Sequence, residues 1–242
     1  MIKKFLAKNF PVLRKSKRLF DAVYNSARPA KKTYSSHGED LAIQEILQSY
    51  DLKGSIYVDV GANHPAVLSN SYLLYRKGYH GIAVEPNQEL ARLLKRFRPK
   101  DIVLAIGCGK ENSILPFHIS KEHVLSTFSE TRQQDVSQTL YLPIMRLDDA
   151  IKHMEFNFIS LLSIDVEGLN FEVLEGARDT LEKSLLLCVE IDRPGDHVRF
   201  SKLLGTRFEF VREIGYNVMF VNNDLKNQLQ KNKLPNNNYS NA

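Results

Sequence analysis

Residues 55–65, SIYVDVGANHP, constrain this chain more than any other stretch. Residues 56–60 form a short β-branched and aromatic run between Gly54 and Gly61, the pattern of a buried strand. Asp59 stands near its end. Gly61 and Ala62 carry almost no side chain, so the backbone can turn tightly there and a ligand can come close to the main chain. A sheet built outward from this strand would deliver the acids that follow to the same edge.

The 242 residues, 43% of them hydrophobic, can bury one substantial core, and a single α/β domain with appendages is expected. No apolar run approaches the roughly 20 residues that span a bilayer. The N-terminus lacks the apolar stretch and cleavage site of a signal peptide. Cys108 and Cys188, the only cysteines, read as reduced packing residues of a cytoplasmic protein, with a disulfide or metal pair as the alternative. The net charge of +5 is unevenly spread, because residues 1–32 hold ten Lys/Arg against Asp21, or +9, which leaves −4 for the rest. This basic segment, taken to run over 1–33, spaces Phe5, Leu6, Leu13, Leu19, Phe20, Val23 and Tyr24 in partly helical fashion. Three roles stay open for it: docking on an anionic inner membrane surface, packing on the domain or a second subunit, and binding RNA or another polyanion.

The domain is expected over 34–225. Leu41, Ile43, Ile46 and Leu47 give a helix whose first turn holds Glu39 and Asp40, where negative charge meets the positive end of the dipole. Beyond the central strand, the pattern predicts a helix over 69–77, a strand over 81–87 closed by Glu85 and Pro86, a helix over 88–97 and a strand over 102–107. GCGKEN (107–112) suits a hairpin turn before a short strand at 114–119. A run at 142–147 leads into a helix at 150–154. The apolar strand 158–164 ends on Asp165-Val166-Glu167-Gly168, and a helix follows over 171–181. Strand 185–191 carries Glu190, with Asp192 just beyond, and 208–211 with 217–221 resemble an antiparallel hairpin. Residues 226–242, rich in Asn, Gln and Lys, read as a disordered tail.

Strands alternating with helices imply a mostly parallel sheet covered on both faces, with ligands bound beyond the carboxyl ends of the strands. Asp59, Glu85, Asp165, Glu167, Glu190 and Asp192 all fall at or just after strand ends. Gathering such like charges points to a cationic ligand, a hydroxyl-rich ligand or a metal ion. Glu85 follows Gly61 by 24 residues, close to the spacing of about 20 at which nucleotide-binding α/β folds place an acid on ribose hydroxyls.

VDVGAN (58–63), AVEPN (83–87), LAIG (104–107), LDD (147–149), IDVEG (164–168) and VLEGA (173–177), with GED (38–40) before them, resemble in order and spacing the FkbM-type family of S-adenosylmethionine-dependent methyltransferases. The resemblance implies a class I methyltransferase fold, a Rossmann-like seven-stranded sheet with a C-terminal antiparallel hairpin. By that similarity Asp59, Gly61, Ala62 and Asn63 shape the loop around the methionine part of the cofactor. Glu85 holds the ribose with Pro86 and Asn87 beside it, Ala105, Ile106 and Gly107 border the adenine, and Glu39 and Ser126 join the cofactor contacts. Asp165 and Glu167 face the methyl group and acceptor. The implied activity is O-methyl transfer to a sugar or other hydroxylated acceptor, free or lipid-linked, in surface-polysaccharide or natural-product pathways. The chain departs from the family at His64-Pro65, where a glycine is usual, at Ser163 for a lysine, at Asn170 for an acid and at Ser36 for a glutamine.

The base that takes the acceptor's proton is expected to be His64, which titrates near neutrality, or Asp165. Alternatively Asp165 with Glu190 or Asp192 would hold Mg²⁺ and lower the acceptor's pKa. His37 and His123 lie in loops suited to cover the cofactor, and Thr127 beside Ser126 is expected to reach the site as well. Two rival functions are a nicotinamide-dependent oxidoreductase, which should show a fuller G-x-G-x-x-G than DVGANHP, and a silent nucleotide-binding module on the same fold. Nucleic acid is not expected as a partner, since the acidic body offers no basic groove.

Overall fold

The computed structural model of the chain describes residues 33–120, 125–131 and 133–231. The basic segment 1–32, His123 and residues 232–242 lie outside the described residues, and the expectations about them with it. In chain order the elements are α1 (Glu39–Leu47), β1 (Ile56–Val60), α2 (Tyr72–Arg76), β2 (Gly81–Val84), α3 (Gln88–Phe97), β3 (Ile102–Leu104), β4 (Gly107–Cys108), β5 (Ser113–Ser120) and β6 (Val136–Met145). They continue with α4 (Leu147–Ile151), β7 (Ile159–Ile164), α5 (Asn170–Glu175), α6 (Arg178–Glu182), β8 (Ser184–Glu190), α7 (Asp196–Leu204), β9 (Phe208–Ile214), β10 (Asn217–Asn222) and α8 (Asn223–Lys231).

The main sheet has seven strands in the order β3-β2-β1-β7-β8-β10-β9. Its strands pair in parallel from β3 to β8, and β10 runs antiparallel to both of its neighbours. This is the class I methyltransferase arrangement expected, including the closing hairpin. Strand order reverses at β1, since β2 lies on one side of it and β7 on the other. That reversal opens a crevice at the carboxyl edge.

Side chains of β1 alternate between two cores, as a strand covered on both faces requires. Val58 and Val60 join Ile82, Val84, Leu162 and Ile164 on the face covered by residues of α4 to α7. Tyr57 joins Leu161, Leu186 and Met219 on the face covered by α1. No helix among the described residues is long and apolar enough to cross a membrane.

Several boundaries differ from the sequence pattern for identifiable reasons. The expected helix 171–181 is two helices, because the Asp148 carboxylate accepts the backbone N–H groups of Asp179 and Thr180 at 3.2 and 2.9 Å and starts α6 afresh. GCGKEN is no hairpin turn. Gly107 and Cys108 form β4, which pairs in parallel with the end of β6, and β5 pairs antiparallel with β6 to make a separate three-stranded sheet. Helix α8 carries order past Lys226, where disorder was expected. The Asn222 side chain accepts from the N–H groups of Asp224 and Leu225, and Leu225 and Leu229 pack on the α1 core.

One face of β1 is polar at its core. Arg98, fully buried, donates from Nε to Asp101 at 2.7 Å and from Nη2 to the Tyr57 hydroxyl at 2.9 Å and Ser71 Oγ at 2.8 Å. Tyr57 in turn donates to Asp101, and Ser71 donates to Asp59. Burial alone would lower the pKa of Arg98, but Tyr57, Asp101 and Asp59 outweigh it and keep the guanidinium charged. Replacing one member of such a set leaves the others as buried uncompensated charge. Arg98→Met should therefore lower the unfolding free energy by about 3–5 kcal/mol, read as a reduced urea midpoint, and a loss below 1 kcal/mol would show that the network is not holding β1 to α3.

Candidate functional site

The crevice at the carboxyl edge holds a cavity of about 300 Å³, at the lower end of the range for small-molecule sites. Its floor is set where β1 and β7 leave the sheet together. Asp165 N–H donates to the Val60 carbonyl at 2.9 Å, and Gly61, at φ +84°, packs so closely that a Cβ would lie 1.7 Å from the Asp165 carbonyl oxygen. A side chain at 61 is excluded by the neighbouring backbone, beyond any need for ligand access. Gly61 still lines the cavity, as does Asn63, whose backbone is also left-handed at φ +50°.

Glu85, just past β2, is 5% exposed and held from both sides. One carboxylate oxygen accepts the Asn63 N–H at 2.8 Å and the other accepts the Asn87 N–H at 2.7 Å. The loop after β1 and the start of α3 thus fix the plane of this carboxylate. Glu39, in the first turn of α1, reaches the same cavity. Burial would raise its pKa, but hydrogen bonds from the His37 and Glu39 backbones and from the Ser35 and His37 side chains hold it lowered.

Asp165, Glu167 and Glu190 come together on the opposite side. Each offers a carboxylate oxygen within 4.8 Å of the others. Desolvation first, then the charges of Glu190 and Glu167 and a hydrogen bond to Glu190, push the Asp165 pKa well above its ordinary 3.8. Each of these effects favours the protonated form of Asp165, and the hydrogen bond to Glu190 joins the two acids. Glu167 sits at φ +56°, and its carbonyl accepts the Thr127 hydroxyl at 2.6 Å. Thr127 also exchanges two backbone hydrogen bonds with His118 of β5. The segment 125–131 therefore ties the small sheet to the acid loop, and it brings Ser126 and Phe128 to the cavity wall beside Ile106, Gly107 and Phe117.

Of the expected site residues, Pro86 lines the cavity with those above, while His37, Thr127 and six others do not. His64, expected to reach the active site, is 2% exposed and accepts the Ala66 N–H on Nδ1, so it closes its own turn. Asp59 belongs to the Arg98 network beneath the floor, where burial raises its pKa against the opposing effects of Arg98, Ser71 and Ser163. Ala62 packs with Ala83, Ala91 and Leu94. The side chain of Asn87 caps α3, accepting from the N–H groups of Glu89 and Leu90, and only its backbone touches Glu85. Ala105 is exposed outside the cavity. Asp192 accepts Asn170 Nδ2 at 2.8 Å and lies outside the cavity, so Glu167 takes the place expected of it among the clustered acids. The sequence reading missed Leu68, Asn70, Tyr216 and Asn217, all at the cavity wall. Only Tyr216 carried a signal, as an aromatic residue following a turn glycine.

The raised pKa of Asp165 has a consequence for stability. Asp165 has a folded pKa above its unfolded one, so its contribution is fully present below the unfolded value and is lost as pH rises through the folded value. Asp165→Asn replaces the protonated acid by a neutral donor to Glu190. The variant should melt close to the wild type near pH 4 and above it by a few degrees at pH 8, at about 2–4 °C per kcal/mol. Differential scanning fluorimetry across pH checks this, and a difference that does not grow with pH would refute it.

No curated protein is similar in sequence to this chain. Among solved structures it is similar to a crystal structure of methyltransferase FkbM from Methylobacillus flagellatus KT, with 14% identity over 90% of this chain and 60% of that one, at a TM-score of 0.47. It is also similar to the METTL16 methyltransferase domain, with 8% identity over 75% of this chain and 65% of that one, TM-score 0.45. A third is a TehB-like SAM-dependent methyltransferase from Corynebacterium glutamicum, with 11% identity over 91% and 97%, TM-score 0.42. The chain thus spans less than two thirds of the length of the first two. A sequence model described as the methyltransferase FkbM domain matches residues 59–218, from the acid of β1 into β10. With well over half of its length matched, and with the sheet order that its motifs imply, the chain belongs to the FkbM methyltransferase family.

Proposed function

We propose that this chain transfers a methyl group from S-adenosylmethionine to a hydroxyl of a sugar or glycan, in the assembly of a surface polysaccharide or natural product. The observation that supports it is the opposition, across one cavity, of a carboxylate fixed by two backbone N–H groups and a cluster of three acids whose carboxylate oxygens lie within 4.8 Å of one another.

The residues fit the cofactor's parts. Two backbone donors orient the Glu85 carboxylate, and a carboxylate so fixed is an acceptor suited to vicinal ribose hydroxyls. Asn63 Oδ1 is buried with no hydrogen-bond partner among the described residues. An acceptor in that state costs about 1–3 kcal/mol, which an N–H donor such as the cofactor's amino group would recover. Ile106, Gly107, Phe117 and Phe128 offer a flat apolar wall for the adenine. When bound, the cofactor supplies a methyl group on a sulfonium, and transfer to a hydroxyl oxygen leaves a thioether and releases the hydroxyl's proton. The acid cluster would orient that hydroxyl and take the proton. A carboxylate whose pKa is raised is a better base than an ordinary one, a role worth about 10²–10⁴ in rate.

The same three carboxylates are hard oxygen donors that suit Mg²⁺. Transfer that survives EDTA assigns the proton to the carboxylates alone, and transfer restored only by Mg²⁺ assigns the metal.

Glu85→Ala should weaken S-adenosylmethionine binding by about 10- to 100-fold, the value of one or two hydrogen bonds to a charged group. Calorimetry with S-adenosylmethionine and with a nicotinamide dinucleotide measures this, and unchanged affinity in the variant, or tighter binding of the dinucleotide by the wild type, would overturn the assignment. Radiolabelled methyl transfer to a panel of free sugars and glycans tests the acceptor class and separates an enzyme from a silent module.

A further inference from the structure

We infer that the acceptor is longer than one sugar and that its second unit rests in a subsite beside the cavity, built from Tyr216, Asp192 and Arg193. This inference rests on the sugar methyl transfer proposed above.

A shallow depression lies against the cavity, lined by Glu190, Ile191, Asp192, Arg193, Pro194 and Tyr216. Two of these, Glu190 and Tyr216, also line the cavity itself, so the two hollows share a wall. A ligand with its reacting hydroxyl at the acid cluster, and extending past Glu190, enters the depression next.

The wall is fixed by backbone contacts. Tyr216 lies in the turn between β9 and β10, and its carbonyl accepts the Ile191 N–H at 2.7 Å, which ties the hairpin to the segment leaving β8. Gly215, at φ +58°, presses on His37, where a Cβ would lie 2.4 Å from Nδ1. The His37 ring meets the Tyr216 ring edge to face at 5.7 Å, and the His37 N–H donates to Glu39 at 2.7 Å. On the other side, Asp196 accepts the N–H groups of Asp192 and Arg193 at 3.2 and 2.9 Å, which sets the loop at the head of α7.

Although its backbone is tied down, the Tyr216 residue is 67% exposed. A large aromatic ring held in place and left open to solvent beside a catalytic cavity is the usual platform for the C–H face of a sugar ring, since it offers area at little entropic cost. The same hollow supplies an acceptor in Asp192 and a donor fork in Arg193, the one cation among its lining residues. An aromatic face flanked by a carboxylate and a guanidinium matches a pyranose, which is apolar on its faces and hydroxylated at its rim.

The test measures kcat/KM with S-adenosylmethionine for a panel of hexose, deoxyhexose and hexuronate monosaccharides and for the disaccharides made from them. The wild type should favour the best disaccharide over its reacting monomer by about ten-fold or more. In Tyr216→Ala and in Arg193→Ala that preference should collapse to about two-fold or less, whereas Tyr216→Phe, which keeps the ring, should retain it. Cofactor calorimetry on each variant reports folding. Preference that persists in both alanine variants, or that is lost equally in Tyr216→Phe, overturns the subsite and leaves the sugar reading intact. No transfer to any sugar by a wild type that binds cofactor overturns the sugar reading and the subsite with it.

Discussion

The Asp165 carbonyl oxygen occupies the space that a side chain on residue 61 would need. That exclusion lets β1 and β7 stay paired to their last residues and leave the sheet side by side, with the Asp165 N–H still bonded to Val60. The two loops that follow therefore start in contact, one carrying Asn63 and the other Glu167. Each needs a left-handed residue to diverge again, at φ +50° for Asn63 and +56° for Glu167. Such conformations cost of order 1–3 kcal/mol for residues other than glycine. They hold here because both loops are bonded elsewhere, Asn63 to Glu85 and Glu167 to Thr127. Glu85 and the three clustered acids owe their separation to this one crossing.

How much of this was readable in the residues depends on the range of the interaction. The parallel strands were legible because burial on both faces leaves continuous apolar runs, and α3 was legible to the residue because Asn87 caps it and Leu90, Ala91 and Leu94 recur on one face. Glu85 was legible through its distance from Gly61, a spacing set by one helix and two strand ends. The small sheet was not. Its strand β4 is only two residues long, and it is defined by a partner more than thirty residues away, a pairing that no local pattern carries. His64 misled for a related reason. Its chemistry near neutrality suits a base, but its ring is turned inward by a bond to Ala66 that depends on loop geometry. Asp59 was placed on the correct strand and assigned the wrong surroundings, since its partner Ser71 is itself oriented by Arg98, 39 residues downstream of Asp59.

The carboxylates fall into two kinds of environment, and the difference sorts their uses. Glu39 and Glu85 accept backbone N–H groups, which favour the charged form and are already in place before a ligand arrives. Preorganised acceptors of this sort bind without changing protonation. Asp165 and Glu190 have each other instead, and their charges raise the cost of ionising both. A pair in that condition favours holding a proton, which suits the proton-accepting role proposed for it.

The charge of the whole cavity narrows the ligand further. Glu39, Glu85, Asp165, Glu167 and Glu190 line it, and no Lys, Arg or His does among the described residues. The nearest large buried cation, Arg98, is committed to Tyr57, Ser71 and Asp101 beneath the floor. A dinucleotide would bring a pyrophosphate into this field with no cation to meet it and no run of glycines whose backbone N–H groups could take its place. A sulfonium with an amino group brings positive charge instead, and in a crevice of low dielectric constant that difference in sign is worth several kcal/mol. The same field that disfavours an anionic cofactor would be partly neutralised once a cationic one is bound. In the methyl transfer proposed above, the sulfur would lose its positive charge among the acids, and the same field would hold the product less tightly than the reactant.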